Sequence, residues 1–341
     1  MTIARNISGM LRLAAMLAAC CFSVQAQGPS VSSTDTPKNP VAAEPAAAQL
    51  KLPVWLEEQE GKYWEGARRQ SFHVFLEDQE VPVKGFLNAQ SGTVLLLVFD
   101  NVADIAKLEE IRNALGEQLT GLGDKYLTGL LSAQDGVSVL QEPTSDESLL
   151  KLKIKDVQIA TKGGLLDTLE PVARMGTAIM QKASVRVAIL YVTDSGVANY
   201  RADYLNPVIN SSDSGDLSRR FGDRAIQERM SRLSEGLKRF TVPVFILHLL
   251  QRSDSLNLAY QSGLERVAAD SGGEALFCRT NDEIVPNLEK LMTRIRTGYV
   301  LAVDAPKTRK SMVKVRVTAE TDDSASIERV ITVPQIGVRK R

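Results

Sequence analysis

The sequence predicts an α/β fold with a mostly parallel central sheet, helices on both faces and β segments added at the two ends. Three observations carry that expectation. Residues 94–99, 185–192 and 242–249 are largely apolar runs, as in strands covered on both faces. Between them, apolar residues recur at helical spacing, and strands alternating with helices imply a parallel sheet. The chain has 341 residues, enough for one large domain with smaller additions.

The N-terminus reads as an export signal over residues 1–26. Arg5 and Arg12 supply the positive end, residues 13–24 are apolar, and Val24-Gln25-Ala26 has the small-x-small form of a cleavage site. The apolar stretch is too short for a spanning helix. A rival lies in Leu17-Ala18-Ala19-Cys20, which resembles a lipobox and would place a lipid anchor on Cys20. The expected location is therefore periplasmic or secreted, with a lipoprotein as the alternative. Residues 27–50 are rich in Ser, Thr, Pro and Ala and are expected to be a disordered linker.

Residues 51–90 form a β-hairpin segment. Residues 71–76 have strand composition, Glu77-Asp78-Gln79-Glu80 is a polar turn, and residues 81–86 resume the extended pattern. Pro82 marks an edge. The central domain is expected over 91–298. After the first apolar run, Ile105, Leu108, Ile111, Leu115 and Leu119 share a helix face. Short strands at 126–131 and 136–140 flank the turn Gln134-Asp135-Gly136. Ser145-Asp146-Glu147 opens a helix, and Gly163-Gly164 precedes another that carries Leu165, Leu169, Val172 and Ile179. The second apolar run ends at Asp194, and a polar loop follows over about 195–218, with a Ser/Asp-rich centre at 211–216. Ile226, Met230, Leu233, Leu237 and Phe240 form the next stripe, and helices near 257–270 and 282–297 complete the domain. Residues 299–341 return to β and end in a basic tail, Arg339-Lys340-Arg341. Neither terminal β segment is expected to be stable alone, so the two are expected to fold together into one small sheet against the central domain.

Lys and Arg number 41 and Asp and Glu 41, a formal balance that argues against a nucleic-acid partner. No Walker loop, Gly-x-Ser-x-Gly elbow or His-Glu-x-x-His motif occurs. The two histidines, His73 and His248, fall in or at the end of predicted strands, and His248 reads as a satisfied rim or core residue. Cys278 follows a short buried stretch and reads as a small core residue.

In an open α/β sheet, ligands sit at the carboxyl ends of the strands where the strand order reverses. Asp100 and Asp194 occupy two such ends, and Gly163-Gly164 is expected to join them at one crevice. Both aspartates have a plain alternative role as caps of the turns or helices that follow them.

Several segments together carry a resemblance. Residues 75–82 (FLEDQEVP), 95–100 (LLLVFD), Gly163-Gly164 with 166–169, 190–196 (LYVTDSG), 268–273 (AADSGG) and 296–301 (RTGYVL) resemble, in order, the von Willebrand factor A-like (VWA) domain. More narrowly, they resemble the exported family of VWFA-related Acidobacterial domain proteins. The resemblance implies a Rossmann-like VWA domain and, in that family's usual form, a metal-ion-dependent adhesion site. Such a site presents several oxygen ligands to a hard cation and leaves one position open for a partner's carboxylate. Carried over, Asp100 and Asp194 match the two aspartates. Val102 and Asp104 fall on the serine positions, and the threonine position falls on Leu165 or is deleted in a loop two residues shorter. The site is therefore expected to be degenerate, with no cofactor or a weakly bound Mg²⁺, and Lys162 is a candidate counter-charge. The implied function is a non-catalytic module that binds a protein or peptide through the loops at the strands' carboxyl ends. Two alternatives stand beside it. One is a cation-dependent adhesion or assembly protein using Asp100, Asp104 and Asp194. The other is a carboxylate-based hydrolase on the same scaffold.

Overall fold

The computed structural model describes residues 49–59, 62–100, 102–134, 136–160, 163–199, 216–305, 312–319 and 329–334. The expected signal with Cys20, most of the linker, Lys162, the centre of the Ser/Asp-rich loop and the basic tail lie outside the described residues.

The chain opens with short strands: β1 (Gln49–Val54), β2 (Glu57–Gln59), β3 (Lys62–Tyr63), β4 (Phe72–Leu76), β5 (Gln79–Val81) and β6 (Gly85–Leu87). The α/β part follows with β7 (Thr93–Phe99), α1 (Ile105–Gln118), β8 (Tyr126–Ser132), β9 (Ser138–Thr144), α2 (Glu147–Lys155), α3 (Leu165–Lys182) and β10 (Arg186–Thr193). It continues with α4 (Asp216–Leu237), β11 (Val244–His248), α5 (Ser255–Ser271), β12 (Ala275–Phe277) and α6 (Ile284–Thr297). Three strands close the chain: β13 (Tyr299–Asp304), β14 (Met312–Ala319) and β15 (Arg329–Pro334).

The central sheet has the order β9-β8-β7-β10-β11-β12. All its pairings are parallel except β8 with β9, the hairpin expected around Gly136. Counted along the chain, that order is 3-2-1-4-5-6, the doubly wound arrangement, and it reverses between β7 and β10. Side chains alternate between two cores. Val94, Leu96, Val98, Ile189 and Tyr191 pack towards α3, α4 and α5. Leu95, Leu97, Phe99, Leu190 and Val192 pack towards α1 and α6. Burial on both sides explains why these strands read as unbroken apolar runs.

The terminal strands do fold together, but into two main sheets rather than one. One has the order β1-β13-β6 and the other β15-β14-β4-β5. They enclose a third core of alternating residues: Leu50, Leu52 and Val54 with Tyr299, Leu301 and Val303 on one side, and Phe72, Val74 and Leu76 with Val313, Val315 and Val317 on the other. The Glu77-Asp78 turn joins β4 to β5 with positive φ at both residues, 48° and 67°, the primed-turn geometry of tight hairpins. Pro82 follows the edge strand β5, as expected. β1 begins at Gln49, so the last two residues of the expected linker belong to a strand.

Two basic side chains tie the layers. Lys51 of β1 donates to the carbonyls of Met180 and Ala183 at the end of α3. Arg186, 4% exposed, donates through Nη1 to the carbonyls of Ile295, Arg296 and Gly298 at the end of α6. Its Nη2 reaches the Ala89 carbonyl and the Tyr126 hydroxyl. Placing a cation on the negative end of a helix is favourable, and a guanidinium has the donors to serve several carbonyls at once. Among the described residues no helix is long and apolar enough to cross a membrane.

Candidate functional site

The crevice lies where the sheet order reverses, above the carboxyl ends of β7 and β10. Asp100 follows β7 and is 1% exposed. Its Oδ1 accepts the Gly164 N–H at 2.6 Å and its Oδ2 accepts the Thr193 hydroxyl at 2.8 Å. Asp194 follows β10, and its Oδ2 accepts the Ala103 N–H at 3.0 Å. Each carboxylate thus clasps a loop remote in sequence. The expected meeting of Asp100, Asp194 and Gly163-Gly164 is present. A short antiparallel bridge between Val102 and Ala160 draws the loop after β7 onto the loop before α3.

The other residues carried over from the resemblance lie elsewhere in role. The Asp104 carboxylate caps α1, accepting from the N–H groups of Ala106 and Lys107. Val102 and Leu165 are buried among apolar side chains. Neither Val102 nor Leu165 supplies the side-chain oxygen that a hard cation takes. Among the described residues, no three His, Cys, Asp or Glu side chains are grouped so as to hold a metal ion.

A chain of hydroxyls runs inward from Asp100. Thr193 Oγ lies 2.8 Å from Ser195 Oγ, and Ser195 Oγ lies 2.9 Å from the Tyr260 hydroxyl on α5. A second chain holds the start of α3. Thr168 Oγ donates to the Gly164 carbonyl, and the Tyr191 hydroxyl lies 3.2 Å from Thr168 Oγ. Burial pushes the Tyr191 phenol well up, so it stays protonated. These neutral donors and acceptors satisfy the buried polar atoms of the crevice floor.

Ser195 and His248 are neighbours without forming a nucleophile–base pair. His248 Nε2 lies 2.7 Å from the carbonyl oxygen of Ser195, and Nδ1 accepts the Leu250 N–H at 3.3 Å. The imidazole is therefore the neutral Nε2–H form, donating to a carbonyl, with both nitrogens engaged. His73 sits far away in β4, with Nδ1 2.7 Å from Glu80 of the neighbouring strand. Cys278 is buried, and its thiol is pushed up by burial.

No known protein family matches the chain, and no curated protein matches it. Solved structures do. The SpRpn10 VWA domain is 11% identical over 59% of this chain and 95% of that one, with a TM-score of 0.38. The ArnB paralog VWA2 from Sulfolobus acidocaldarius is 9% identical over 84% and 76%, with a TM-score of 0.42. Proximal thread matrix protein 1 from the mussel byssus is 14% identical, with a TM-score of 0.39. That match covers 59% of this chain, which spans 47% of that longer protein.

No local pattern marks the roles of Thr193, Ser195, Tyr260 and Arg252. Their partners come from elements remote along the chain. Arg252 donates to the Asp194 carbonyl at 3.1 Å, and its backbone N–H and carbonyl are both held by the Gln261 amide. This places a guanidinium over the end of β10.

Burial holds His248 neutral and moves its pKa from 6.5 down to about 4, with Arg252 and Lys107 adding to the shift. The unfolded chain takes up this proton near the ordinary value, while the folded chain resists it. Stability is therefore lost as pH falls from about 6.5 to about 4, by about 3 kcal/mol from this residue in the limit. His248→Gln keeps a donor for the Ser195 carbonyl and removes the titration. Urea midpoints at about pH 7 and about pH 4 should converge more in the variant than in the wild type. An equal drop in both would show that His248 protonates freely in the folded state.

Proposed function

We propose that this chain is an exported, VWA-like protein-interaction module. It takes a protein or peptide partner on the loops at the carboxyl ends of its parallel strands, without catalysis and without an obligatory cation. One observation carries the reading. Of the six large apolar side chains most exposed among the described residues, three, Ile105 (63%), Ile159 (46%) and Leu258 (45%), belong to segments at the carboxyl ends of the parallel strands, while Val139, Leu140 and Leu152 lie on β9 and α2. Ile105 opens α1 just after β7, Ile159 precedes the residue bridged to Val102, and Leu258 is in the first turn of α5 just after β11. Apolar residues rimming a crevice at a strand-order reversal are what a partner surface needs.

The chemistry of the crevice floor supports the rest. Asp100 and Asp194 hold loops in place through N–H and hydroxyl donors, Asp104 is spent on a cap, and the imidazole beside Ser195 serves a carbonyl. These roles favour an interaction surface over the cation-dependent and hydrolytic alternatives. The export part rests on the N-terminal sequence.

A photo-crosslinking amino acid at position 105 or 258, in cells, is expected to capture one protein partner. The same probe at Lys84, beside the terminal sheets, is expected not to capture it. Chelator should leave the crosslink unchanged, and Ile159→Asp should weaken it by about tenfold or more. Loss of the crosslink with chelator would favour the cation-dependent alternative, and equal crosslinking from Lys84 would overturn the assignment of the face.

A further inference from the structure

The other three exposed apolar side chains lie at one edge of the central sheet. Val139 (56% exposed) and Leu140 (40%) are on β9, the outermost strand, which pairs only with β8 in that sheet and has no buried residue. Leu152 (57%) is on α2, which packs against β9. The helix buries Leu150 and Ile154, and Leu152 stands on its opposite side. Edge strands are commonly guarded by charge, Lys above all, and the only charged residue of β9 is Glu142. Even so, β9 is a poor template for a further strand. Its register with β8 shifts twice, and Pro143 has no N–H to offer. What this edge presents to a partner is side chains.

The charges of α2 are sorted along its axis. Asp146 and Glu147 stand at its start, and Lys151, Lys153 and Lys155 towards its end. Asp146 accepts the Leu149 N–H and Glu147 the Gly121 N–H. Among the described residues, none of these two acids and three lysines forms an ion pair. Leu149 and Leu152, three residues apart, are neighbours on the helix surface between the two charged ends. An acidic end, an apolar middle and a basic end are complementary to the same pattern turned end for end. A two-fold axis produces that match, because it sets one patch against its own copy.

We infer that the α2–β9 edge binds a second copy of this chain, with the two α2 helices antiparallel about a two-fold axis. An axis crossing between Leu149 and Leu152 sets Leu152 of each copy against Leu149 of the other. It also sets the Lys155 end of each against Asp146 and Glu147 of the other. Val139 and Leu140 widen the apolar area. One short helix and one strand make an interface below the roughly 800 Å² per partner of a standard one, so the dimer is expected to be weak, with a Kd of about 10–100 µM. The contact uses no crevice residue and is independent of what the crevice binds.

The test is sedimentation velocity on the full chain from about 1 to 300 µM, a range over which wild type should pass from monomer to dimer. Leu152→Asp should weaken the dimer by about tenfold or more. Glu147→Lys and Lys155→Glu should each weaken it by about three- to tenfold, because each sets like charges face to face. The double variant should regain most of that loss, since its swapped ends complement each other again. Urea midpoints matched to wild type separate lost association from lost folding. Lys155 is exposed and forms no ion pair among the described residues, so its variant keeps the assay decisive if Glu147→Lys lowers stability. A chain still monomeric at about 300 µM, or a dimer that Leu152→Asp and Lys155→Glu leave unchanged, would refute the assignment. A double variant no better than either single one, at matched midpoints, would refute the antiparallel arrangement.

Discussion

Gly164→Ala is expected to destabilise the protein by about 3 kcal/mol or more and to loosen the crevice with it. The reason is space. Gly164 has φ −126°, a conformation open to any residue. A Cβ built on it, however, would lie 1.4 Å from the carbonyl oxygen of Ala133 and 2.6 Å from its carbonyl carbon. Neither atom can turn away as a side chain can. Ala133 is fixed in its turn by a bond from its N–H to the Phe99 carbonyl at 2.9 Å. Either that backbone or the start of α3 must shift, and a shift of α3 withdraws the N–H that Asp100 accepts. The carboxylate would then be buried short of a donor, which adds its own cost. Urea unfolding of the variant should show a much lower midpoint at unchanged slope. Amide exchange at Gly164 and Leu165 should rise more than exchange in α6. An unchanged midpoint would show that the approach of α3 to Ala133 is not rigid.

Arg186→Met is expected to cost about 3–5 kcal/mol, the second large effect. The guanidinium serves four backbone carbonyls and one hydroxyl from a buried position at the start of β10. Each hydrogen bond from a charged donor is worth about 1.5–3 kcal/mol, and the sum is less than additive because the bonds share one group. Methionine fills the volume and leaves the carbonyls at the end of α6 without donors. Arg186→Lys should recover only part of the loss, because a single ammonium cannot reach both the α6 carbonyls and the Tyr126 hydroxyl. Arg186 enters β10 at the end opposite the crevice, so binding by the folded fraction should not change. Guanidinium midpoints for the Met and Lys variants check the ranking, and a Lys variant as stable as wild type would refute it.

Much of this architecture was legible in the sequence because burial writes itself into local patterns. The runs at 94–99, 185–192 and 242–249 became β7, β10 and β11, and the apolar stripes became α1, α3, α4, α5 and α6. The helix start at Ser145-Asp146-Glu147 also held, with Asp146 as the cap of α2. Asp104 could have been read the same way, since it stands directly before Ile105, the first residue of a helical stripe.

Other features had no local trace. β1 is six residues long and runs out of an Ala-rich stretch, and its partner β13 lies near the other end of the chain. That the terminal strands divide between two sheets depends on pairings β1–β13 and β4–β14, which no short window contains. The hydroxyl chain from Asp100 to Tyr260 joins three elements remote in sequence. Lys107 looks like any solvated lysine in a first helical turn, and its burial follows from the packing of α1 against the sheet. Electrostatic detail of this kind is set by tertiary neighbours, whereas apolar periodicity is set by the chain itself.

The pairing of β1 with β13 and of β4 with β14 has a consequence for the order of assembly. β1 and β4 are synthesised well before their partners β13 and β14. Bringing such distant segments together is entropically costly until the intervening α/β part has folded and set its ends side by side. The terminal layers therefore act as a latch that closes after everything between them. A chain cut within β14 should lose order in β4, near the opposite end of the sequence, and leave Val74 and Leu76 exposed on unpaired edges prone to association.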